Sequence, residues 1–260
     1  MQDLSVAIIT QNEENNIRDC LESVKWASEI VVVDAFSEDK TAEICRCFTD
    51  KVFLKQWNGF AEQKQYALDR CTSQWVLSID ADERVTAELH EEILRLFEQE
   101  LLFDGYYVAR RSYFLGRWMR YGGWYPGYQL RLFRRDAARV SRARVHEGFI
   151  VTGKTGTLQH DLLHYSHSSL NESLQKLNRY TSLEALDVYT RKRVRWYDFL
   201  LHPAGAFLKK YIVQKAVLEG MHGFLLSMIT AFLKMVLYMK IWLIQHESDD
   251  ELRRYKEDCR

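Results

Sequence analysis

Short apolar runs alternate with amphipathic stretches over the first hundred residues. Leu4–Thr10 (LSVAIIT), Glu29–Asp34 (EIVVVD), Lys51–Leu54 and Trp75–Ile79 (WVLSI) are of strand length and mostly apolar, the pattern of strands covered on both faces. Between them, Ile17, Leu21 and Val24 recur at helical spacing, Thr41–Phe48 reads as a second helix and Gly59–Cys71 as a third. Strands separated by helices in this way predict an α/β domain around a mostly parallel central sheet. A further helix is expected over Glu88–Glu98. The stretch from Tyr106 to Phe133, broken by Gly122-Gly123 and Pro126-Gly127, reads as β-structure and loops closing over the sheet edge. A helical pattern returns over 170–190. The chain thus divides into an α/β domain over 1–165 and a helical, partly amphipathic region over 166–260.

That second region contains the longest apolar stretch. Gly223–Ile244 is interrupted only by Ser227, Thr230, Lys234 and Lys240. Its length suffices to cross a bilayer, but Lys234 falls in the middle, where a cation is costly. Lys209, Lys210 and Lys215 precede it, which suits an interfacial helix pressed on anionic lipid. Packing of a helical hairpin against protein is the alternative.

Charge adds an asymmetry that net charge conceals. The formal net charge is zero, yet residues 1–109 hold 22 acids and 10 bases while 110–144 hold ten arginines and one acid, Asp136. An anionic ligand or surface near the middle of the chain would account for this, as would a solvated face with internal ion pairs. Nucleic acid is not expected, because the basic residues match no recognition-helix pattern. Five cysteines lack the spacing of disulfides or zinc sites, and no leader pattern is evident, so a reducing cytosol is the expected compartment.

Chemistry is expected where strands end, since ligands of parallel sheets bind beyond the carboxyl ends of strands. Asp80-Ala81-Asp82-Glu83 follows WVLSI, and two carboxylates so spaced can face Mg²⁺ or Mn²⁺ through a turn. An acidic pair on a loop with no ligand shows the same spacing. Asp34 ends the second strand and either holds a nucleotide hydroxyl or base, or caps the helix that follows. Thr10, Asn12 and Glu13 follow the first strand and either contact nucleobase and ribose or merely start a helix. Lys64 is either a diphosphate contact or a solvent-facing lysine.

Taken in order, SVAIITQNEE (Ser5–Glu14), the string Val31-Val32-Val33-Asp34 with Ser37, Asp39 and Thr41, and Leu77-Ser78-Ile79-Asp80-Ala81-Asp82-Glu83 resemble the family-2 glycosyltransferases, whose nucleotide-binding α/β fold is called GT-A. Trp124–Arg134 (WYPGYQLRLFR), Val145-His146-Glu147 and the segment His164–His167 resemble more narrowly the bacterial lipopolysaccharide core β-1,4-glucosyltransferases. The resemblance implies a UDP-sugar donor, Mg²⁺ or Mn²⁺, and inverting transfer of a hexose, glucose above all, to an inner-core heptose. The enzyme would then lie peripherally on the cytoplasmic face of the inner membrane. It implies Asp82 as the metal-binding acid, Asp80 as support for the donor sugar or ribose, Glu147 as base and Arg131 as the cation neutralising diphosphate or acceptor phosphate. His164 or His167 would be a further metal or acceptor ligand. One departure is Gly127, where that branch is expected to carry an acid after Tyr-Pro. A polyprenyl phosphate acceptor, and a non-catalytic nucleotide-sugar-binding scaffold at the membrane, are the alternatives.

Overall fold

The computed structural model describes residues 3–99, 101–141, 148–167 and 170–246. In chain order the first elements are β1 (Leu4–Thr10), α1 (Ile17–Val24), β2 (Glu29–Asp34), α2 (Thr41–Arg46), β3 (Val52–Leu54), α3 (Phe60–Arg70), β4 (Trp75–Asp80), β5 (Glu83–Val85) and α4 (Ala87–Phe97). Then come β6 (Gly105–Val108), β7 (Arg110–Phe114), β8 (Arg117–Trp118), β9 (Gln129–Arg134), β10 (Ala138–Val140), β11 (Phe149–Val151), β12 (Thr155–Thr157) and β13 (Leu162–His167). The chain continues with α5 (Leu170–Val188), α6 (Asp198–Leu208) and α7 (Met221–His246).

Seven strands form the central sheet in the order β12-β6-β9-β4-β1-β2-β3. The pairs β4·β1, β1·β2, β2·β3 and β12·β6 are parallel, and β9 runs antiparallel between β4 and β6. This is the mixed, mostly parallel sheet expected from the sequence. The expectation that Tyr106–Phe133 closes over the sheet edge needs correction: β6 and β9 continue the sheet beyond β4. They do so because Leu130, Leu132 and Phe133 need cover on both faces.

Alternation along the strands builds a core on each face. Val6, Ile8, Val32, Leu77 and Ile79 point to one side, under α1 and α4 through Leu21, Val24, Leu89 and Ile93. Ala7, Ile9, Val31, Val33 and Val76 point to the other, under α3 through Ala67 and Leu68. Thr86 caps α4 by accepting the Leu89 N–H.

Two compact units emerge, one of residues 1–111 and 126–165, the other of 112–125 and 166–260. The excursion 112–125 therefore packs with the helical unit, although it lies within the 1–165 stretch of the sequence-based division. The reason is local. The Glu219 carboxylate accepts the Arg120 and Tyr121 N–H groups at 2.8 and 3.0 Å, and Phe114 and Met119 pack around Leu226.

In the helical unit α7 packs against α5 and α6, and its two internal lysines have protein partners. Lys234 pairs with Glu184 at 3.0 Å. Lys240 is buried and donates to the Asn178 carbonyl and side chain, Thr181 and Ser182 at 2.7–2.8 Å. Among the described residues α7 is the one helix long and apolar enough to cross a membrane.

Candidate active site

β1 neighbours β2 on one side and β4 on the other. The chain walks outward from β1 through β2 to β3 and then returns for β4. The switch in direction falls between β1 and β4, which is where open α/β sheets leave a crevice at the carboxyl ends of their strands. Thr10 is paired in register with Asp34, and Ile9 with Asp80, so three of the expected residues lie at adjoining strand ends.

Thr10 is buried, and its hydroxyl has no hydrogen-bond partner among the described residues. Asp34 is fully buried and accepts the Ser37 N–H at 2.9 Å and the Ser37 hydroxyl. Asn12 takes the left-handed conformation with φ 53°, accepts the Glu38 N–H at 2.8 Å and donates its own N–H to the Ser37 hydroxyl at 2.8 Å. Glu13 donates its N–H to the Thr41 hydroxyl at 2.8 Å and accepts from the Asn16 amide. These bonds lace the loops after β1 and β2 into one rim. Asn12 and Glu13 brace that rim, a structural duty their sequence position did not reveal.

At the end of β4 the charges form a chain of alternating sign. Lys64, from α3, sits 3.0 Å from one Asp80 oxygen, and Arg131, from β9, sits 2.7 Å from the other. The Arg131 guanidinium also donates to Glu83 at 2.5 Å, and Arg110 approaches Glu83 at 3.6 Å. Glu83 in turn accepts the Asp80 N–H at 2.9 Å. Burial alone would raise the Asp80 pKa, but Arg131 and Lys64 outweigh it and hold the carboxyl well below the usual range. Arg131 is nearly inaccessible. Expected to neutralise diphosphate or acceptor phosphate, it pairs here with Asp80 and Glu83, because a buried guanidinium needs carboxylates close by.

Asp82 has a different neighbour. Strand β13 runs antiparallel to β5 with His164 opposite Glu83, and the Tyr165 N–H donates to the Asp82 carbonyl at 2.9 Å. This register brings His164 Nε2 to 3.6 Å from Asp82 Oδ2, both side chains partly exposed. One carboxylate oxygen on the β4–β5 turn and one imidazole nitrogen on β13 suit a divalent cation whose remaining positions would go to water or phosphate. Among the described residues no group of three or more His, Cys, Asp or Glu side chains could hold a metal ion, so they offer only this pair here. Glu147, with His146, lies outside the described residues, as does the His167 side chain.

The sequence marks Glu83 only as a member of the acidic run and Arg110 only as one of the ten arginines of 110–144; their pairing comes from the structure. An arginine within the apolar run of β9 was the available signal, since it demands a buried acid.

The glycosyl transferase family 2 model matches residues 5–148, which include Thr10, Asp34, Asp80 and Asp82 but not His164. The chain belongs to this family. It is a glycosyltransferase, and the GT-A reading of its sheet follows. This family-2 enzyme is 34% identical over 247 residues to the lipopolysaccharide core biosynthesis glycosyltransferase LpsC of Rhizobium meliloti, covering 92% of each chain. It is 29% identical over 263 residues to an uncharacterized glycosyltransferase of Rickettsia typhi, covering 93% of this chain and 87% of that one. Among solved structures, the mannosyltransferase PcManGT from Pyrobaculum calidifontis, in complex with GDP-Man and Mn²⁺, shares the fold with a TM-score of 0.50 at 14% identity. That match covers 94% of this chain and 88% of the other.

Proposed function

We propose that the enzyme transfers a hexose, glucose from UDP-glucose, to a heptose of the lipopolysaccharide inner core by inverting single displacement. The observation that carries the chemistry is the division of labour at the end of β4. Asp80 is held ionised by two cations, while Asp82 stands beside His164. The relation to LpsC over nearly the whole of both chains supports the acceptor class.

Asp82 and His164 would hold Mg²⁺ or Mn²⁺, which would offset the charge that grows on the departing diphosphate. Asp80, fixed by Arg131 and Lys64, accepts hydroxyl hydrogens of the donor sugar or ribose and orients it for in-line attack. The unpartnered Thr10 hydroxyl and the rim built by Asp34, Asn12 and Glu13 form the nucleoside end of the donor site. Glu147 is the base that takes the acceptor proton, a duty that Gly127 leaves to it. The acceptor is an amphiphile, so the enzyme works at the cytoplasmic membrane surface.

The test is transfer from radiolabelled UDP-glucose, with Mn²⁺, to heptosyl lipid acceptor and to polyprenyl phosphate in parallel. Label on the heptose is expected. Label on polyprenyl phosphate instead would overturn the acceptor. Binding of UDP with no transfer from any hexose donor would favour the scaffold alternative.

A further inference from the structure

The helical unit is greasy on the wrong side. In α6 and the wide π-helical turn Lys209–Val213 that continues it, the exposed positions are 200, 201, 204, 205, 208, 209, 212 and 213. Pairs spaced by four residues share one helix face. That face carries Leu200, Leu201, Leu208, Ile212 and Val213, each more than half exposed, with Lys209 as its charged member. An ordinary surface helix turns such a stripe inward.

The start of α7 repeats the pattern. Met221, Phe224, Leu225, Met228 and Phe232 recur at helical spacing and are all exposed. The two stripes adjoin: Phe224 meets Phe207 and Tyr211 edge-on, with ring centroids 5.9 and 6.0 Å apart. Val217 and Leu218, exposed in the turn between them, bridge the stripes. Contiguous apolar surface on this scale marks an interaction site.

Charge says what covers it. Residues 191–246 contain nine lysines and arginines against two acids, Asp198 and Glu219. Both acids are buried, Asp198 bonded to the Arg195 N–H and Glu219 to the Arg120 and Tyr121 N–H groups. Arg191, Arg193 and Arg195, which precede the stripe in the chain, and Lys209 and Lys215, within and just after it, are exposed. Trp196, at 76% exposure, stands beside them, and an amphipathic ring suits the boundary between headgroups and acyl chains. A second copy of this chain would bring the same cations against each other. An anionic bilayer surface answers both the apolar stripe and the charge.

We propose that residues 196–228, and not the length of α7, form the membrane-docking surface. The stripe Leu200–Val213 and the start of α7 enter the headgroup boundary of anionic phospholipid, and the exposed cations engage its phosphates. The later half of α7 serves as a packing helix, held by Lys240 and Ile241 against α5. This deepens the membrane-surface part of the proposed function by naming the face and the lipid chemistry.

The test is co-sedimentation of the full chain with vesicles of phosphatidylcholine alone or mixed with phosphatidylglycerol, without donor or acceptor. Binding to the mixed vesicles, weakened by salt, and little to the neutral ones is expected. The variant Leu201→Gln/Ile212→Gln/Val213→Gln changes only exposed positions, and its partitioning should fall by about tenfold or more. Lys209→Glu/Lys215→Glu should lose the preference for anionic lipid. Unchanged binding in the triple variant, or no wild-type binding to either vesicle, overturns the proposal. So does a wild-type dimer in sedimentation velocity that the triple variant converts to monomer. Transfer to a water-soluble core oligosaccharide should be unchanged in both variants, so failure of the acceptor assignment and failure of the docking face are read separately.

Discussion

At the scale of single residues, the acidic run divides into three different environments within four positions. Asp80 is clamped by Lys64 and Arg131, Asp82 opens toward His164, and Glu83 is sealed beneath them with Arg131. Asp82→Ala should reduce transfer at least about a hundredfold, the scale of losing one electrostatic contact to developing charge. It should also abolish any Mn²⁺ dependence of UDP binding by calorimetry, while far-UV circular dichroism stays unchanged. Full transfer activity in that variant would remove the metal role. Arg131→Met tests the clamp. It leaves Asp80 with Lys64 alone and the fully buried Glu83 with only the longer contact from Arg110, and should cost about 3 kcal/mol in denaturant unfolding. Adding Glu83→Gln should recover part of that loss. A double variant no more stable than the single would mean that the pair is not coupled.

At the scale of elements, the helical unit depends on one close approach. A Cβ placed on Gly223, in the first turn of α7, would lie 1.7 Å from the Ala216 carbonyl oxygen. The short 3-10 turn Ala216–Glu219 rests directly on the helix backbone there. Gly223→Ala must therefore separate the two, and about 2 kcal/mol or more of stability should be lost, read as a lower thermal midpoint. An unchanged midpoint would show that the turn yields freely. Buried Lys240 explains a second feature of the same unit. Four acceptors from α5 surround its ammonium group, so a cation in an apolar helix is here a fastener between helices.

At the scale of the molecule, the two ends of the central strands do different work. The carboxyl ends of β1, β2 and β4 carry the candidate chemistry, while the opposite ends are fastened by Glu29. Burial alone would raise the pKa of Glu29, but its bonds from Lys51, Ser5 and Thr72 outweigh this and hold it at about 2, against an ordinary 4.5. A folded pKa lowered in this way gives stability that is complete above about pH 4.5 and lost as pH falls toward about 2. Unfolding free energy should fall over that window, and Glu29→Gln should flatten the fall. An equally steep fall in the variant would assign it to other carboxylates. Ligand linkage acts on the whole fold as well. UDP at about a hundred times its dissociation constant should add about 2.7 kcal/mol, and with Mn²⁺ required, the thermal midpoint should rise only when both are present. A rise with UDP alone would argue against the cation.

Strand and helix succession, the parallel core and the placing of Thr10, Asp34 and Asp80 at strand ends were legible in the sequence, because periodicity and burial are local properties of the chain. The acidic run, too, was visible as chemistry. Tertiary structure alone decided the partners. Arg131 reaches Asp80 and Glu83 only because β9 inserts beside β4. His164 reaches Asp82 only because β13 returns to β5 from about eighty residues away. The same holds for the helical region: composition marked it as apolar, but which apolar residues were spare depended on what α5 and α6 already covered. Pairings across long separations are set by sheet order and packing, and no local pattern of residues encodes them.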